Sequence, residues 1–222
     1  MNWMQVEEYL QRDDRLMVVT GACEQHGYLS LLTDIRIPLA IAEAAAHQAG
    51  VPVAPPLNFG VSPYFARYPG TISLRTQTFL AVIDDVVRWL HMQGFRRLLF
   101  LNGHGGNAPA TALLHELANA LPDLRVSWYN WWLAPSVQAI TEEVGRKGYH
   151  ANWFEAFPSC RVADLPAGEK AAPAATRILN ADETRDLYGD GVMGGTYAPD
   201  DAVLQRIFDT AVVDVVARLD FD

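Results

Sequence analysis

The stretch Arg97-Leu98-Leu99-Phe100-Leu101-Asn102-Gly103-His104-Gly105-Gly106-Asn107 decides the fold that this chain is expected to adopt. Its apolar run predicts a buried strand, and a helical pattern begins at Pro109. We expect Asn107 to cap that helix and Pro109 to lie in its first turn. His104 falls at the carboxyl end of the strand, where open α/β sheets bind ligands. Taken alone, the stretch is equally compatible with a plain strand-to-helix turn.

Strand and helix patterns alternate on both sides of this stretch, which indicates an α/β fold with a mainly parallel sheet covered on both faces. No Pro/Gly/Ser-rich linker divides residues 1–222, so we expect a single domain. Two irregular regions, Asn58–Ser73 and Ser136–Ala174, are long enough to be functional loops. The further predicted strands are Leu16–Thr20, Val51–Ala54 and Val126–Trp131, and the predicted helices are Val6–Gln11, Ile35–His47, Thr76–Gln93, one after Pro109 and one opening at Pro199.

The composition limits the classes of partner. A net charge of −9 argues against a nucleic-acid partner, because phosphate binding needs a basic face. No apolar run approaches the roughly 18 residues that span a bilayer. The first residues are acidic and amphipathic, unlike a signal peptide. The two cysteines, Cys23 and Cys160, provide no disulfide framework, so we expect a cytoplasmic protein.

Four side chains with metal-ligand chemistry follow two of the predicted strands. Glu24 and His26 are two residues apart on extended chain after the first strand, so they leave on the same face. Asp34 precedes the next helix, and His104 follows the central strand. This mixed nitrogen and oxygen set suits Zn²⁺, Mn²⁺ or Fe²⁺, and two carboxylates are enough for one to bridge a metal pair. Paired metals are the usual arrangement for amide hydrolysis by activated water.

Other interpretations of the same residues remain open. Asp34 is also suited to cap its helix, and Glu24 with His26 would be unremarkable in a surface loop. The glycine-rich turn Gly103–Asn107, with the helix after it, could instead cradle a phosphate in a nucleotide-binding module. That module would lack the P-loop lysine and the acidic residue of a dinucleotide fold.

Several motifs in a fixed order resemble the creatininase family of metal-dependent amidohydrolases. The resemblance spans nearly the whole chain and implies a three-layer α/β/α sandwich, a hexameric homo-oligomer and two divalent metal ions. Family members open cyclic amides, deformylate a pyrimidine intermediate or trim a peptide-derived cofactor precursor. The motifs are Glu24-Gln25-His26-Gly27, Thr33-Asp34, Tyr68-Pro69-Gly70-Thr71-Ile72-Ser73-Leu74, Asn102-Gly103-His104-Gly105-Gly106-Asn107 and Gly191-Val192-Met193-Gly194-Gly195.

The resemblance also implies roles for particular residues. Asp34 would bridge both metals, and Glu155 would be the remaining metal carboxylate of the catalytic centre. His150 would be the acid/base that protonates the departing nitrogen, a role that imidazole suits near pH 7. Ser73 is a candidate substrate contact. The full implied metal set is Glu24, His26, Asp34, His104 and Glu155.

The chain departs from the family pattern at Gly105 and Gly106, where creatinine-hydrolysing members have Tyr and Glu. This departure argues against creatinine itself as the substrate. We therefore expect a cytoplasmic hydrolase that cleaves a non-peptide C–N bond, a cyclic amide or a formamide, in a small molecule. The residues Ala156 and Phe157 replace the usual Thr and Ser after Glu155, so an inactive member that serves as an assembly partner is the alternative.

Overall fold

Three six-residue strands form a parallel sheet at the centre of the computed structural model, which describes residues 1–221. The strands are β1 (Arg15–Thr20), β2 (Arg97–Asn102) and β3 (Arg125–Asn130), in the order β1-β2-β3. Leu98 on β2 pairs with Leu16 on one side and Val126 on the other. The stretch chosen from the sequence therefore supplies the central strand.

Helices alternate with these strands along the chain. They are α1 (Trp3–Leu10), α2 (Thr33–Ala49), α3 (Thr76–Gln93), α4 (Ala110–Ala120), α5 (Pro135–Glu143), α6 (Ala181–Tyr188) and α7 (Asp201–Arg218). A separate antiparallel pair joins β4 (Glu169–Lys170) to β5 (Gly195–Thr196). No helix in residues 1–221 has both the length and the apolar composition needed to cross a bilayer.

The strands divide the core into two layers because successive side chains point to opposite faces of a sheet. Met17 and Leu99 face one cluster of buried side chains, which α2, α5 and α7 complete. Val18 and Phe100 face the other cluster, which α1, α3 and α4 complete. This is the expected three-layer α/β/α arrangement with a parallel sheet.

Four local predictions are wrong. The region Ser136–Ala174, expected to be irregular, begins within the helix α5. The segment Val51–Ala54 is not a strand and forms only an isolated bridge between Val53 and Met17, since proline at position 52 has no N–H for a ladder. Asn107 does not cap α4, because it lies in a 3-10 turn with its side chain buried. The last helix begins at Asp201, with Asp200 as its cap and Pro199 outside.

A row of polar side chains crosses the carboxyl edge of the sheet. Thr20, Asn102 and Asn130 are aligned by the strand register. The Thr20 hydroxyl donates to Asn102 Oδ1 at 3.0 Å, and Asn102 Nδ2 donates to Asn130 Oδ1 at 2.9 Å. Asn102 Nδ2 also donates to the His104 carbonyl oxygen at 2.7 Å, and Asn107 Nδ2 donates to Asn102 Oδ1 at 3.2 Å. The Asn102 amide therefore holds the turn that carries His104.

Two glycines let the first turn of α2 lie against the strand ends. A Cβ on Gly21, after β1, would lie 2.3 Å from the Asp34 carbonyl oxygen. A Cβ on Gly103, after β2, would lie 2.0 Å from the same oxygen. Any side chain at either position would push α2 away from the sheet, and Asp34 with it.

We expect Gly103→Ala to lower the free energy of unfolding by about 1–3 kcal/mol, the usual cost of overpacking. The matched control is Gly105→Ala in the same turn, where the nearest atom to an added Cβ is 4.0 Å away. The control should change stability by no more than about 0.5 kcal/mol. Urea denaturation measures both, and equal stabilities would contradict the close approach of α2.

We expect Asn102→Ala to lower the free energy of unfolding by about 2–4 kcal/mol, because it leaves buried donors and acceptors unpaired. Asn58→Ala is the control, since Asn58 is exposed and its side chain takes part in no hydrogen bond within residues 1–221. Chemical denaturation compares the two variants. If Asn102→Ala lowers the free energy of unfolding no more than Asn58→Ala does, the stabilising role of the polar row is contradicted.

Candidate metal centre

The carboxylate of Asp34 lies between two imidazoles. His26 Nε2 is 3.1 Å from Asp34 Oδ1, and His104 Nδ1 is 2.9 Å from Asp34 Oδ2. All three residues are almost completely buried. Each oxygen of this one carboxylate therefore faces a different histidine.

Two further carboxylates complete two overlapping groups of donors around Asp34. In the first group, His104 Nε2 lies 3.7 Å from Glu24 Oε2. In the second, His26 Nε2 lies 3.7 Å from Glu155 Oε2. Within each group the donor atoms lie within 4.8 Å of one another, and Asp34 belongs to both groups. Glu24, His26 and His150 form a third such group.

The backbone sets which nitrogen of each imidazole faces the site. His26 Nδ1 is 3.1 Å from the Glu24 carbonyl oxygen, and His104 Nε2 is 3.0 Å from the Val61 carbonyl oxygen. A carbonyl oxygen only accepts, so those nitrogens carry the proton in the neutral ring. The opposite nitrogens, His26 Nε2 and His104 Nδ1, face Asp34 and would present their lone pairs to a cation bound there. Metal-binding histidines are oriented in this way by hydrogen bonds to their second nitrogen.

Unpaired buried atoms provide a test of whether a cation suits these residues. Glu24 Oε2, His26 Nε2 and Asp34 Oδ2 are buried without an aligned hydrogen-bond partner in residues 1–221. Such groups destabilise a fold unless something compensates them. These three atoms point into the two donor groups, so a divalent cation would satisfy all of them. The residues fit a metal.

The charged groups of the cluster shift one another's pKa values. Burial opposes a charge on His26, but attraction to Asp34 outweighs it and raises the pKa of His26 to about 10. Burial also opposes a charge on His104, but attraction to the Glu24 and Asp34 carboxylates outweighs it and raises the pKa of His104 to about 9. Burial likewise opposes ionisation of Asp34, yet the two imidazoles hold its pKa well below the usual value. Asp34 is therefore ionised at neutral pH and ready to bind a cation.

Glu155 comes from the region where the sequence shows little periodicity. It lies in a 3-10 turn, Trp153–Glu155, that begins at the cap residue Asn152. The backbone N–H of Ala151 donates to Glu155 Oε2 at 2.6 Å. Ala151 has φ 63°, a left-handed conformation that is costly for a residue with a Cβ. Burial raises the pKa of Glu155 above its usual range.

His150 lies at the edge of the cluster. Its Nδ1 lies 3.6 Å from Glu24 Oε1. Its Nε2 lies 2.9 Å from the carbonyl oxygen of Gln25 and 3.0 Å from the amide nitrogen of the Gln25 side chain. One partner accepts and the other donates, so either neutral tautomer of His150 finds a hydrogen bond at Nε2. Burial lowers the pKa of His150 well below 6.5, so the ring is neutral at pH 7.

The cluster lies at the base of a cavity of about 460 Å³. Aromatic side chains from the irregular loop Asn58–Ser73 cover part of it. Phe65 stacks on His150 with ring centroids 4.8 Å apart, and the Tyr64 hydroxyl lies 3.5 Å from His104 Nε2. The rest of the wall includes Trp132, Gln138, Lys147, Tyr149 and Met193.

The structure brings together Glu24, His26, Asp34, His104, His150 and Glu155, the metal and acid/base residues that the sequence predicted. It places Ser73 outside the lining of the cavity, where its hydroxyl accepts from the Ser62 N–H at 2.8 Å and donates to the Leu74 carbonyl oxygen. Sequence reasoning missed Asn102 and Gln25 as positioning residues. Both belong to motifs quoted above, but nothing local indicates that their amides turn inward.

Comparison with known proteins agrees with this geometry. The family model of creatininase, described as creatinine amidohydrolase, matches residues 1–219. Creatinine amidohydrolase of Pseudomonas putida is 28% identical over 162 residues, which are 67% of this chain and 62% of that protein. The mycofactocin precursor peptide peptidase of Mycobacterium ulcerans is 34% identical over 221 residues, covering 92% of this chain and 84% of that protein.

The fold is also that of a solved relative. The structure of creatininase Mn has a TM-score of 0.82 and 25% identity, covering 100% of this chain and 96% of that chain. The chain spans only part of several curated relatives, namely 62%, 42% and 48% of the length of the first three that it matches. The family match over residues 1–219 is nevertheless continuous. The chain therefore belongs to the creatininase family.

Proposed function

We propose that this chain is a metal-dependent hydrolase that cleaves a non-peptide C–N bond in a small cyclic amide or formamide. The observation that carries the proposal is the carboxylate of Asp34, whose two oxygens face two histidines and which two donor groups share. A carboxylate in this position suits a pair of cations better than a single one.

The two donor groups assign the residues that would hold the cations. Glu24, Asp34 and His104 would hold one, and His26, Asp34 and Glu155 would hold the other. The donors are nitrogen and carboxylate oxygen, without thiolate, which favours zinc, manganese or iron. Divalent cations supply, when bound, an activated water and a polarised carbonyl.

The protein's own groups provide the rest of the mechanism. The cavity walls bring the substrate carbonyl to the cluster at its base. Neutral His150 accepts a proton at Nδ1, the nitrogen that faces Glu24, and then donates it to the departing nitrogen. Gln25 supports the ring in either tautomer through the contacts at Nε2. Phe65, stacked on His150, excludes water from the other side of the imidazole.

The turn after His104 supports a substrate other than creatinine. A Cβ on Gly106 would lie 2.0 Å from the Val61 carbonyl oxygen and 2.5 Å from His104 Nε2. No side chain can occupy this position unless the loop at Val61 moves. The Glu that creatinine-hydrolysing members have at this position is therefore excluded, and the relatives compared above are named for different substrates.

The rival nucleotide-binding function has less support. Three carboxylates, Glu24, Asp34 and Glu155, line the same cavity as the Gly103–Asn107 turn. Asp34 stays ionised at neutral pH, and its charge opposes a phosphate beside it. Asn107 is also turned into the protein, where it donates to the Gly21 carbonyl oxygen at 3.1 Å.

We also propose that the chain acts in the cytoplasm as a homo-oligomer. Cys23 and Cys160 are free thiols, as a reducing compartment requires. Large apolar side chains are exposed on two helices: Trp3 and Met4 on α1, and Trp89 and Met92 on α3. Such side chains are suited to contacts between subunits.

We expect about two equivalents of zinc, manganese or iron per chain by elemental analysis. Asp34→Asn should lose both, because both donor groups contain Asp34, whereas Glu155→Gln should lose about one. Glu143→Gln, at an exposed carboxylate on α5, is the control and should bind as the unmodified chain does. No metal after reconstitution, or full occupancy in Asp34→Asn, would refute the proposed centre.

We expect His150→Gln to lower turnover of lactams and formamides by about 10²–10⁴-fold, the usual contribution of a general acid/base. Its metal content should stay unchanged, because the two cation-holding groups lack His150. His115→Gln, at an exposed position on α4, should keep full turnover. Steady-state kinetics and elemental analysis separate these effects. Metal binding without turnover of any compound in the panel would instead identify an inactive family member that serves in assembly.

A further inference from the structure

One cationic side chain stands at the rim of the metal-centre cavity. The chain contains 17 lysines and arginines but only two lysines, Lys147 and Lys170. Among the described residues that line this cavity, Lys147 is the one lysine or arginine. The base of the same cavity carries donor groups of the proposed metal centre.

The ammonium of Lys147 has no carboxylate partner in the part of the chain that the structure describes. Its Nζ lies over the face of Tyr149, 4.9 Å from the ring centroid. Lys170 differs, because it forms an ion pair with Asp190 and donates to the Tyr188 carbonyl oxygen. Of the two lysines, Lys147 is therefore the one available to an anion.

The backbone at Lys147 is held in place although its side chain is exposed. Its carbonyl oxygen accepts from Asn152 Nδ2 at 3.1 Å and from Trp153 Nε1 at 3.1 Å. Both donors are buried. Asn152 and Trp153 lie between His150 and Glu155. The same hydrogen-bonded segment therefore carries both Lys147 and His150.

A second cavity, of about 340 Å³, shares two lining residues with the first. Lys147 and Tyr149 line both cavities, and Arg146 lines the second one. The Arg146 guanidinium lies over the Trp153 ring, 4.3 Å from its centroid. The second cavity is also lined by Lys170, which is paired with Asp190, and by Glu169, so Lys147 is the lysine left for an anion where the two cavities meet.

We propose that Lys147 binds an anionic group, a carboxylate or a phosphate, on the part of the substrate that is not cleaved. The assignment rests on the proposed hydrolase function and adds its substrate class. The donor groups at the base would hold the cations that take the amide carbonyl, and the ammonium at the rim attracts an anion. The substrate therefore lies with its amide at the base and its anionic end at Lys147.

Hydroxamates test this without knowledge of the substrate, because a hydroxamate binds divalent metal in such centres. The probes are succinic monohydroxamate, the analogue with an uncharged carboxamide in place of the carboxylate, and the analogue with a phosphonate in its place. Each is titrated calorimetrically into the metal-loaded full chain. We expect the anionic probes to bind about fivefold more tightly than the carboxamide, as for a solvent-accessible ion pair. The preference should shrink as salt increases. The carboxylate and phosphonate arms identify which anion is favoured.

Substitutions at Lys147 test whether its side chain causes the preference for anionic probes. Lys147→Met should bind all three probes equally, and Lys147→Arg should keep the preference. Arg88→Met is the matched control, since it removes the same charge from α3, outside the cavity lining, and should keep the preference.

The outcomes distinguish the two proposals. Equal binding of the charged and uncharged probes by the unmodified chain would refute the role of Lys147 while leaving the metal centre intact. A preference that survives Lys147→Met would also refute that role. Failure of every probe to bind the metal-loaded chain would overturn the proposed function and this assignment together.

Discussion

The contact between the first turn of α2 and the ends of β1 and β2 is the constraint on which the site depends. Gly21 and Gly103 leave no Cβ in the way, so the Asp34 backbone lies directly against both strand ends. This approach carries the Asp34 carboxylate between His26 and His104. The parallel sheet brings the residues that follow β1 and β2 together, because its strands end at the same edge.

Burying so many polar groups at one edge is costly, and the fold compensates most of that cost with hydrogen bonds. Asn102 joins the strand ends to the His104 turn, and backbone carbonyl oxygens hold the outer nitrogens of His26 and His104. Of the four buried side-chain atoms without an aligned partner in residues 1–221, three lie where the two donor groups meet, and the fourth is the Tyr68 hydroxyl. A binding site for cations is the consistent explanation, since the fold satisfies its other buried polar groups nearby.

The segment from Arg146 to Glu155 contributes a different kind of group. The edge of the sheet supplies candidate ligands that follow regular strands. The irregular segment supplies His150, Glu155 and Lys147, and hydrogen bonds within it hold its backbone in place. The strained conformation of Ala151 lies in its middle. The same segment therefore carries the proposed acid/base group and the proposed substrate contact on one local structure.

The sequence by itself predicted the three strands of the sheet, the helices α1 to α4 and α7, and the candidate ligands of the metal centre, but not α5 or α6. Hydrophobic periodicity is local, and the motifs around Glu24, Asp34 and His104 are long enough to be specific. Only the tertiary structure decided that Asn107 turns inward instead of capping α4, that Ser73 lies outside the cavity, and that Lys147 is unpaired while Lys170 is not. These outcomes depend on contacts between residues far apart in the chain, and no local pattern encodes which polar partner a side chain will meet.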